Sequence, residues 1–267
     1  MFYKLFEGDC FTGLKNVKDK SIDLVLTDPP YDIKWKQQIE LHGRKAFGHN
    51  FEELKAWDNK IPIEELYDQL FPELDRVTKS NGSIIMFCRN EYITRVIDAG
   101  RKNNFDIKAS IFFHKSNPAP QIRKKNYLSS IETAVWLGRW NDEKCDFTFN
   151  FINQKEMHNC WETQICSGGE RQGYVTDNGG THPTQKNLSD IEKLMRIHSN
   201  EGDTILDAFL GSGTTLVAAR KLRRNCIGFE IDHRYTEFCK TRMNWGNSFL
   251  GDDKYEFFKL NDEGNPE

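Results

Sequence analysis

The sequence has no apolar run approaching the roughly 20 residues that a membrane helix requires; its longest apolar pieces span residues 22–26 and 83–87. No membrane span is expected. It also lacks a Cys-x-x-Cys pair, and its seven cysteines, at positions 10, 88, 145, 160, 166, 226 and 239, are odd in number and scattered. Such usage argues for reduced thiols and against a disulfide scaffold. The spacing of His158, Cys160 and Cys166 fits no common zinc pattern, so no metal is expected. The first residues lack a basic segment, an apolar core and a small-residue cleavage site. No secretory signal is therefore expected, and the cytoplasm is the expected compartment. A net excess of either charge is also missing: 37 Lys and Arg oppose 40 Asp and Glu, a net of -3. That total lacks the basic excess expected of a nucleic-acid binder. Its distribution qualifies the point, because residues 251–267 hold six acids and two bases and leave residues 1–250 at +1. Basic runs stand at 123–125 and 220–224; the second falls late in a predicted helix, where positive charge suits the dipole.

What is present is an ordinary globular composition. The 267 residues are 29% charged and 37% apolar, enough for one large domain or two modest ones. Short runs rich in Ile, Val and Phe predict strands at 22–27, 83–87, 107–114, 133–137, 204–207 and 226–229. Helical periods lie between them: Leu66, Leu70, Leu74 and Val77; Ile93, Val96 and Ile97; Leu188, Ile191, Leu194 and Met195. Pro72 predicts a kink or break in the first of these. Strands alternating with helices indicate an α/β fold, a doubly wound and mostly parallel sheet covered on both faces. Residues 32–60 and 139–181 do not follow this rhythm and read as functional or mobile loops. Residues 251–267 read as an acidic tail.

Two motifs carry chemistry. Thr27-Asp28-Pro29-Pro30-Tyr31 follows the first predicted strand, which puts Asp28 at the carboxyl end of a strand, where doubly wound sheets bind ligands. On its own it also reads as a proline-stiffened turn. The second is Asp207-Ala208-Phe209-Leu210-Gly211-Ser212-Gly213-Thr214, a strand end and glycine loop before a helix, which lets backbone approach a ligand closely. It is neither a full dinucleotide fingerprint, because Leu216 stands at the third glycine position, nor a phosphate loop, because no Gly-Lys follows. The next predicted strand ends in Glu230-Ile231, with Glu230 17 residues beyond Gly213. An acid there is how such folds hold ribose hydroxyls, so the pair points to a nucleoside ligand without phosphates.

Together these elements resemble the beta group of DNA amino-methyltransferases. Gly8-Asp9-Cys10 looks like the segment beside the cofactor adenine, and Asp28 to Tyr31 like the catalytic tetrapeptide. His182-Pro183-Thr184-Gln185-Lys186 looks like the cofactor-binding segment, and Phe209 to Gly213 like the cofactor loop. The catalytic element precedes the cofactor loop, which is the order of that group. The resemblance covers most of the chain and implies S-adenosylmethionine as cofactor, double-stranded DNA as substrate, and a Rossmann-like methyltransferase fold in permuted order. It further implies one catalytic domain over residues 1–267, a DNA-closing loop at 32–60, target recognition in 139–181, a homodimer, and a role beside a cognate restriction endonuclease.

The elementary chemistry agrees. An exocyclic amino nitrogen is a poor nucleophile because its lone pair is delocalised into the ring. Asp28 and the carbonyl of Pro29 can accept its hydrogens and localise that pair, with Pro30 stiffening the turn. Tyr31 would stack on a base flipped out of the duplex. Adenine N6 is the expected target and cytosine N4 the alternative; the resembling cytosine enzymes more often carry Ser at position 28. C5 methylation needs a thiolate, generally in a Pro-Cys pair, which this sequence lacks. A non-catalytic regulator and an RNA or protein-amide methyltransferase fit the intact tetrapeptide and the element order less well. The loop after the third predicted strand, with Lys115, Asn117, Arg123, Lys124 and Lys125, reads either as DNA-facing or as an ordinary turn. Trp35, Trp57 and Trp161 read as core aromatics, and His49 and His114 as structural or exposed.

Overall fold

The computed structural model describes residues 1–30, 40–41, 44–45, 62–121, 124–139, 147–166, 184–245 and 253–267. Tyr31, Arg123, His182 and Pro183, the tryptophans at 35 and 57, His49 and nearly all of the 32–60 loop lie outside the described residues.

Among the described residues one sheet of nine strands forms the middle layer. Its strands are β1 (Phe2–Glu7), β2 (Ile22–Thr27), β5 (Thr78–Cys88), β6 (Phe105–Lys115), β7 (Ile131–Arg139), β8 (Cys160–Thr163), β9 (Thr204–Asp207), β10 (Asn225–Glu230) and β11 (Lys254–Lys259). A separate hairpin pairs β3 (Glu40–Leu41) with β4 (Arg44–Lys45). The order across the large sheet is β11-β1-β10-β9-β2-β5-β7-β6-β8. Neighbours pair in parallel throughout except around β7, which runs antiparallel to both β5 and β6. The doubly wound expectation is therefore met, with one reversed strand.

Side-chain alternation explains why the central strands are apolar along their whole length. Val25, Ile84, Met86, Val135 and Leu206 face one core, under the helices Ile63–Val77 and Ile93–Lys102. Leu24, Leu26, Ile85, Phe87, Trp136 and Ile205 face the other, under the helices Leu188–His198, Thr214–Lys221 and His233–Met243. A strand covered on both faces has no polar side to present.

Three expectations are revised. Of the kink or break expected at Pro72, the break does not occur: the helix Ile63–Val77 continues through it. Pro72 and Asp68, whose carbonyl a proline at that position leaves without its helical donor, are both exposed, so water can satisfy the group. Leu70, Phe71 and Leu74 are fully buried on the opposite side and hold the helix in place. The acidic tail contains β11, which pairs in parallel with β1 from Phe2↔Lys254 to Glu7↔Lys259. Phe258 stacks on Phe6 with centroids 4.7 Å apart, and Leu260 is buried. Charge count concealed this strand because an edge strand needs apolar residues on one side only. Part of the 139–181 stretch is likewise built into the sheet: β8 forms its far edge, and Phe149 stacks on Trp136 at 5.0 Å. Trp161 is buried and meets Phe113 edge-on, as a core aromatic should.

Candidate active site

The carboxyl ends of β1, β2, β9 and β10 come together along one edge of the sheet, and a cavity lies over them. It is lined by most of the residues that the sequence singles out: Asp9 and Cys10 after β1; Asp28 and Pro30 after β2; Asp207, Phe209, Gly211, Ser212 and Thr214 around the glycine loop; Glu230 and Ile231 after β10; and Thr184, Gln185 and Lys186 before the helix Leu188–His198. Pro29 is buried beside it. Gly213 does not line it but builds the turn, with φ +76 as the N-cap of the helix Thr214–Lys221. A Cβ at that position would lie 2.7 Å from Cys239 Sγ, closer than such atoms pack. The loop is also tied from the helix His233–Met243, whose Arg242 guanidinium donates to the Ser212 carbonyl.

The two strand-end acids are buried and held by backbone. Glu230 accepts from Gly211 N at 2.7 Å and from Asp232 N at 2.8 Å. Burial pushes its carboxyl up to about 7, against the pull of those two hydrogen bonds. Asp207 accepts from Thr27 Oγ1 at 2.9 Å and Phe209 N at 3.1 Å, and burial pushes it up to about 6. Desolvated carboxyls with raised pKa values are unfavourable to ionise and are relieved by hydroxyl donors or positive charge. The apolar walls, Phe209, Phe229, Leu210 and Ile231, suit a flat ring. The donor set therefore fits a cationic nucleoside such as S-adenosylmethionine.

Beside these acids, the ammonium of Lys186 contacts the carboxylate of Asp28. It also lies 4.9 Å from the centre of the Phe87 ring and 4.0 Å from Glu132 Oε1. Burial alone would lower the Lys186 pKa, but Asp28 and Glu132 outweigh it and hold the group above its ordinary value. Glu132 in turn accepts from Lys115 Nζ at 2.9 Å. Burial would raise its carboxyl, yet Lys186 and Lys115 keep it below the usual range.

Glu132 has no motif in the sequence. The one local signal is an acid at the second position of a strand, Ile131–Arg139, whose middle, Ala134 to Leu137, is apolar. Phe11, Phe87, Asp232 and Tyr235 also line the cavity without having been singled out. Of the residues in the expected DNA loop, Lys115 turns to Glu132, and Asn117 Oδ1 accepts from Ile165 N at 2.7 Å, tying the loop to the segment after β8. Lys124 and Lys125 stand exposed on the stretch joining β6 to β7.

Comparison with known proteins gives a consistent picture. Residues 22–241 match the model of a family described as DNA methylase. The chain is 31% identical over 254 residues to the Type II methyltransferase M2.LlaDCHI of Lactococcus lactis subsp. cremoris, across 92% of this chain and 90% of that one. It is 29% identical over 247 residues to the Type II methyltransferase M.HinfI of Haemophilus influenzae, across 90% and 67% respectively. Among solved structures, the M1.HpyAVI–SAM complex superposes with a TM-score of 0.65 at 29% identity, covering 91% of this chain and 99% of that one. The cytosine-N4-specific PvuII DNA methyltransferase shares the fold, with a TM-score of 0.66 at 16% identity and coverage of 95% and 96%.

Proposed function

The chain belongs to the DNA methylase family, and from that membership we propose that it transfers a methyl group from S-adenosylmethionine to the N6 amino nitrogen of adenine in duplex DNA. The observation that carries this reading is one cavity in which Asp28 stands beside the glycine loop and the buried acids Asp207 and Glu230.

Glu230 would accept from the ribose hydroxyls, as an acid at the end of the second strand of such a unit does. Asp9 and Cys10 would lie beside the cofactor's adenine, with Phe209 and Ile231 offering apolar surface to a flat ring and Thr184 and Gln185 lining the same cavity. When bound, S-adenosylmethionine supplies an electrophilic methyl group on a positively charged sulfur. The chain's part is to present the nucleophile. The Asp28 carboxylate and the Pro29 carbonyl accept the two amino hydrogens of the base, which favours a tetrahedral nitrogen with its lone pair free to attack. The two prolines hold that carbonyl in one direction. Tyr31 supplies a face on which the flipped base stacks, offsetting part of the stacking lost from the duplex. Methylated nitrogen gives up its proton readily, so holding both reactants in line supplies much of the acceleration and no strong base is required.

Asp at position 28 supports adenine over cytosine. The names of the relatives, Type II methyltransferases, support a modification role beside a cognate restriction endonuclease, and the family resemblance supports a homodimer. Lys124 and Lys125, with Arg123 next to them in sequence, are read as phosphate contacts, and 139–181 as the target-recognition region.

The deciding experiment incubates the purified protein with S-adenosylmethionine and unmethylated mixed-sequence DNA and maps modified bases by sequencing. N6-methyladenine at one recurring sequence, abolished by Asp28→Ala, is the expected result. N4-methylcytosine would replace the adenine reading with its alternative, and absence of any methylated base would remove both. Sedimentation of the same preparation tests the dimer.

A further inference from the structure

Four neighbouring strands, β2, β5, β7 and β6, each contribute one group to the edge that borders the cavity: Asp28, Phe87, Glu132 and Lys115. The side chain of Lys186 lies across them, so that charge alternates along the row: Asp28, Lys186, Glu132, Lys115. Their side chains are 21%, 11%, 30% and 20% exposed, so the row is largely shielded from water.

This row presents a difficulty for the chemistry proposed above. The amino nitrogen becomes positive as it attacks, and Asp28 is the group meant to accept its hydrogen. That same carboxylate is in contact with the Lys186 ammonium. A second positive charge so close opposes the one developing on nitrogen, and with little water present it is poorly screened. Removing Lys186 altogether would not help, because it would leave Asp28 without a counter-ion before the base arrives. What the chemistry requires is a place nearby to which the ammonium can withdraw.

We propose that Glu132 is a positioning residue for methyl transfer, a second anionic berth that takes the Lys186 ammonium and frees the Asp28 carboxylate for the amino group of the target base. The inference rests on the reading of Asp28 as the acceptor of the amino hydrogen. The distances suit an exchange: Lys186 already lies 4.0 Å from Glu132 Oε1, so a small rotation of its chain moves it from one carboxylate to the other. The face of Phe87, 4.9 Å from the ammonium, lies alongside and interacts favourably with a cation during the move. Lys115 keeps Glu132 ionised from the far side and thus ready to receive a cation. Glu132 touches neither base nor cofactor in this scheme; it acts through Lys186.

The test compares full-length wild-type protein with Glu132→Gln, Glu132→Asp, Lys186→Met and the double variant Glu132→Gln/Lys186→Met. Single-turnover methyl transfer to the mapped DNA site is measured alongside dissociation constants for S-adenosylmethionine and DNA and the melting temperature. Glu132→Gln should slow the transfer step about 10- to 100-fold, the size expected when a reacting group is misplaced, with both dissociation constants within about twofold of wild type. Glu132→Asp, which keeps the charge but shortens the reach, should fall between the two and remain informative if Glu132→Gln folds poorly. The double variant should be no slower than Lys186→Met alone, because Glu132 has no role without the lysine. The inference is overturned if Glu132→Gln transfers at the wild-type rate while Asp28→Asn is inactive, if the losses of Glu132→Gln and Lys186→Met multiply, or if transfer falls only in step with binding or melting temperature. A wild-type protein that methylates nothing would count against the proposed function and not against this step.

Discussion

The Lys186 ammonium meets the Asp28 carboxylate across 158 residues of sequence, joining the segment before the helix Leu188–His198 to the turn after β2. Their side chains are 11% and 21% exposed, so neither charge is well solvated. Lys186→Met should therefore leave Asp28 as a half-buried anion without this partner and cost about 3 kcal/mol of stability. Adding Asp28→Asn to Lys186→Met should restore most of that loss without restoring methylation. Denaturant unfolding of the two single variants and the double gives the coupling directly; additive losses would show that the pair contributes nothing as a pair.

Cofactor binding should depend on pH through the buried acids. Burial raises Glu230 to about 7 and Asp207 to about 6, so both take up protons as pH falls through that range. The ionised forms are the better acceptors for ribose hydroxyls and the better partners for a cationic cofactor. Affinity for S-adenosylmethionine should thus be full near pH 8 and weaken from about pH 7 downward, with protons released on binding at pH 6–7. The sign for folding is the reverse: an acid whose folded pKa is raised contributes stability below its unfolded value, near 4.5 for Glu230, and that contribution is lost as pH rises toward 7. Calorimetry in buffers of different ionisation heat measures the released protons. An affinity constant from pH 5.5 to 8 would show that these acids do not face the cofactor.

The glycine loop offers a sharper test of shape. Gly213→Ala must place a methyl group where φ is +76 and Cys239 Sγ would lie 2.7 Å away. Backbone strain of about 1–2 kcal/mol adds to the displacement of a buried side chain. Loss of stability together with loss of cofactor affinity is expected, read by thermal melts with and without S-adenosylmethionine. Cys239→Ala in the same chain should recover part of the stability but not the strain.

How far the sequence discloses this molecule depends on how local each signal is. Strands buried on both faces announce themselves as apolar runs, so β2, β5 and β9 are plain. The signal weakens toward the side of the sheet: the edge strand β11 and its neighbour β1 interleave lysines and glutamates with aromatics. Asp28 and Glu230 are legible because they end strands, and strand ends are where this class of fold binds ligands. Glu132 is not, because its role comes from two lysines distant in sequence that only the sheet order brings to it. Pro72 misleads for a related reason: helix rules score the backbone, while the tertiary packing of Leu70, Phe71 and Leu74 determines the outcome.

The acidic terminus is therefore expected to be structural. Ending the chain at residue 250 removes β11, uncovers the edge of β1 and takes away Leu260, which is buried against the first turn after β1. Leu260→Ala alone should cost about 2–4 kcal/mol, as truncation of a buried leucine does. Urea unfolding measures it. Wild-type stability in the truncated chain would restore the view of this segment as a dispensable charged tail.

The exposed lysines after β6 test where DNA lies. A net charge of -3 gives no bulk attraction for phosphate, so non-specific binding must come from local bases. Lys124 and Lys125 are both exposed, on a stretch whose two ends, Lys115 and Ile131, adjoin the row that holds Asp28. If each meets a phosphate, Lys124→Ala/Lys125→Ala should weaken binding to all sequences alike and reduce the slope of log affinity against log salt by about 2. Cofactor affinity and the modified sequence should stay as they were, because phosphate contacts position the duplex without reading it. Binding titrations at several salt concentrations, with cognate and scrambled duplexes, separate the cases. An unchanged slope would move the DNA away from this stretch, and a changed preference between the two duplexes would make it part of the recognition surface.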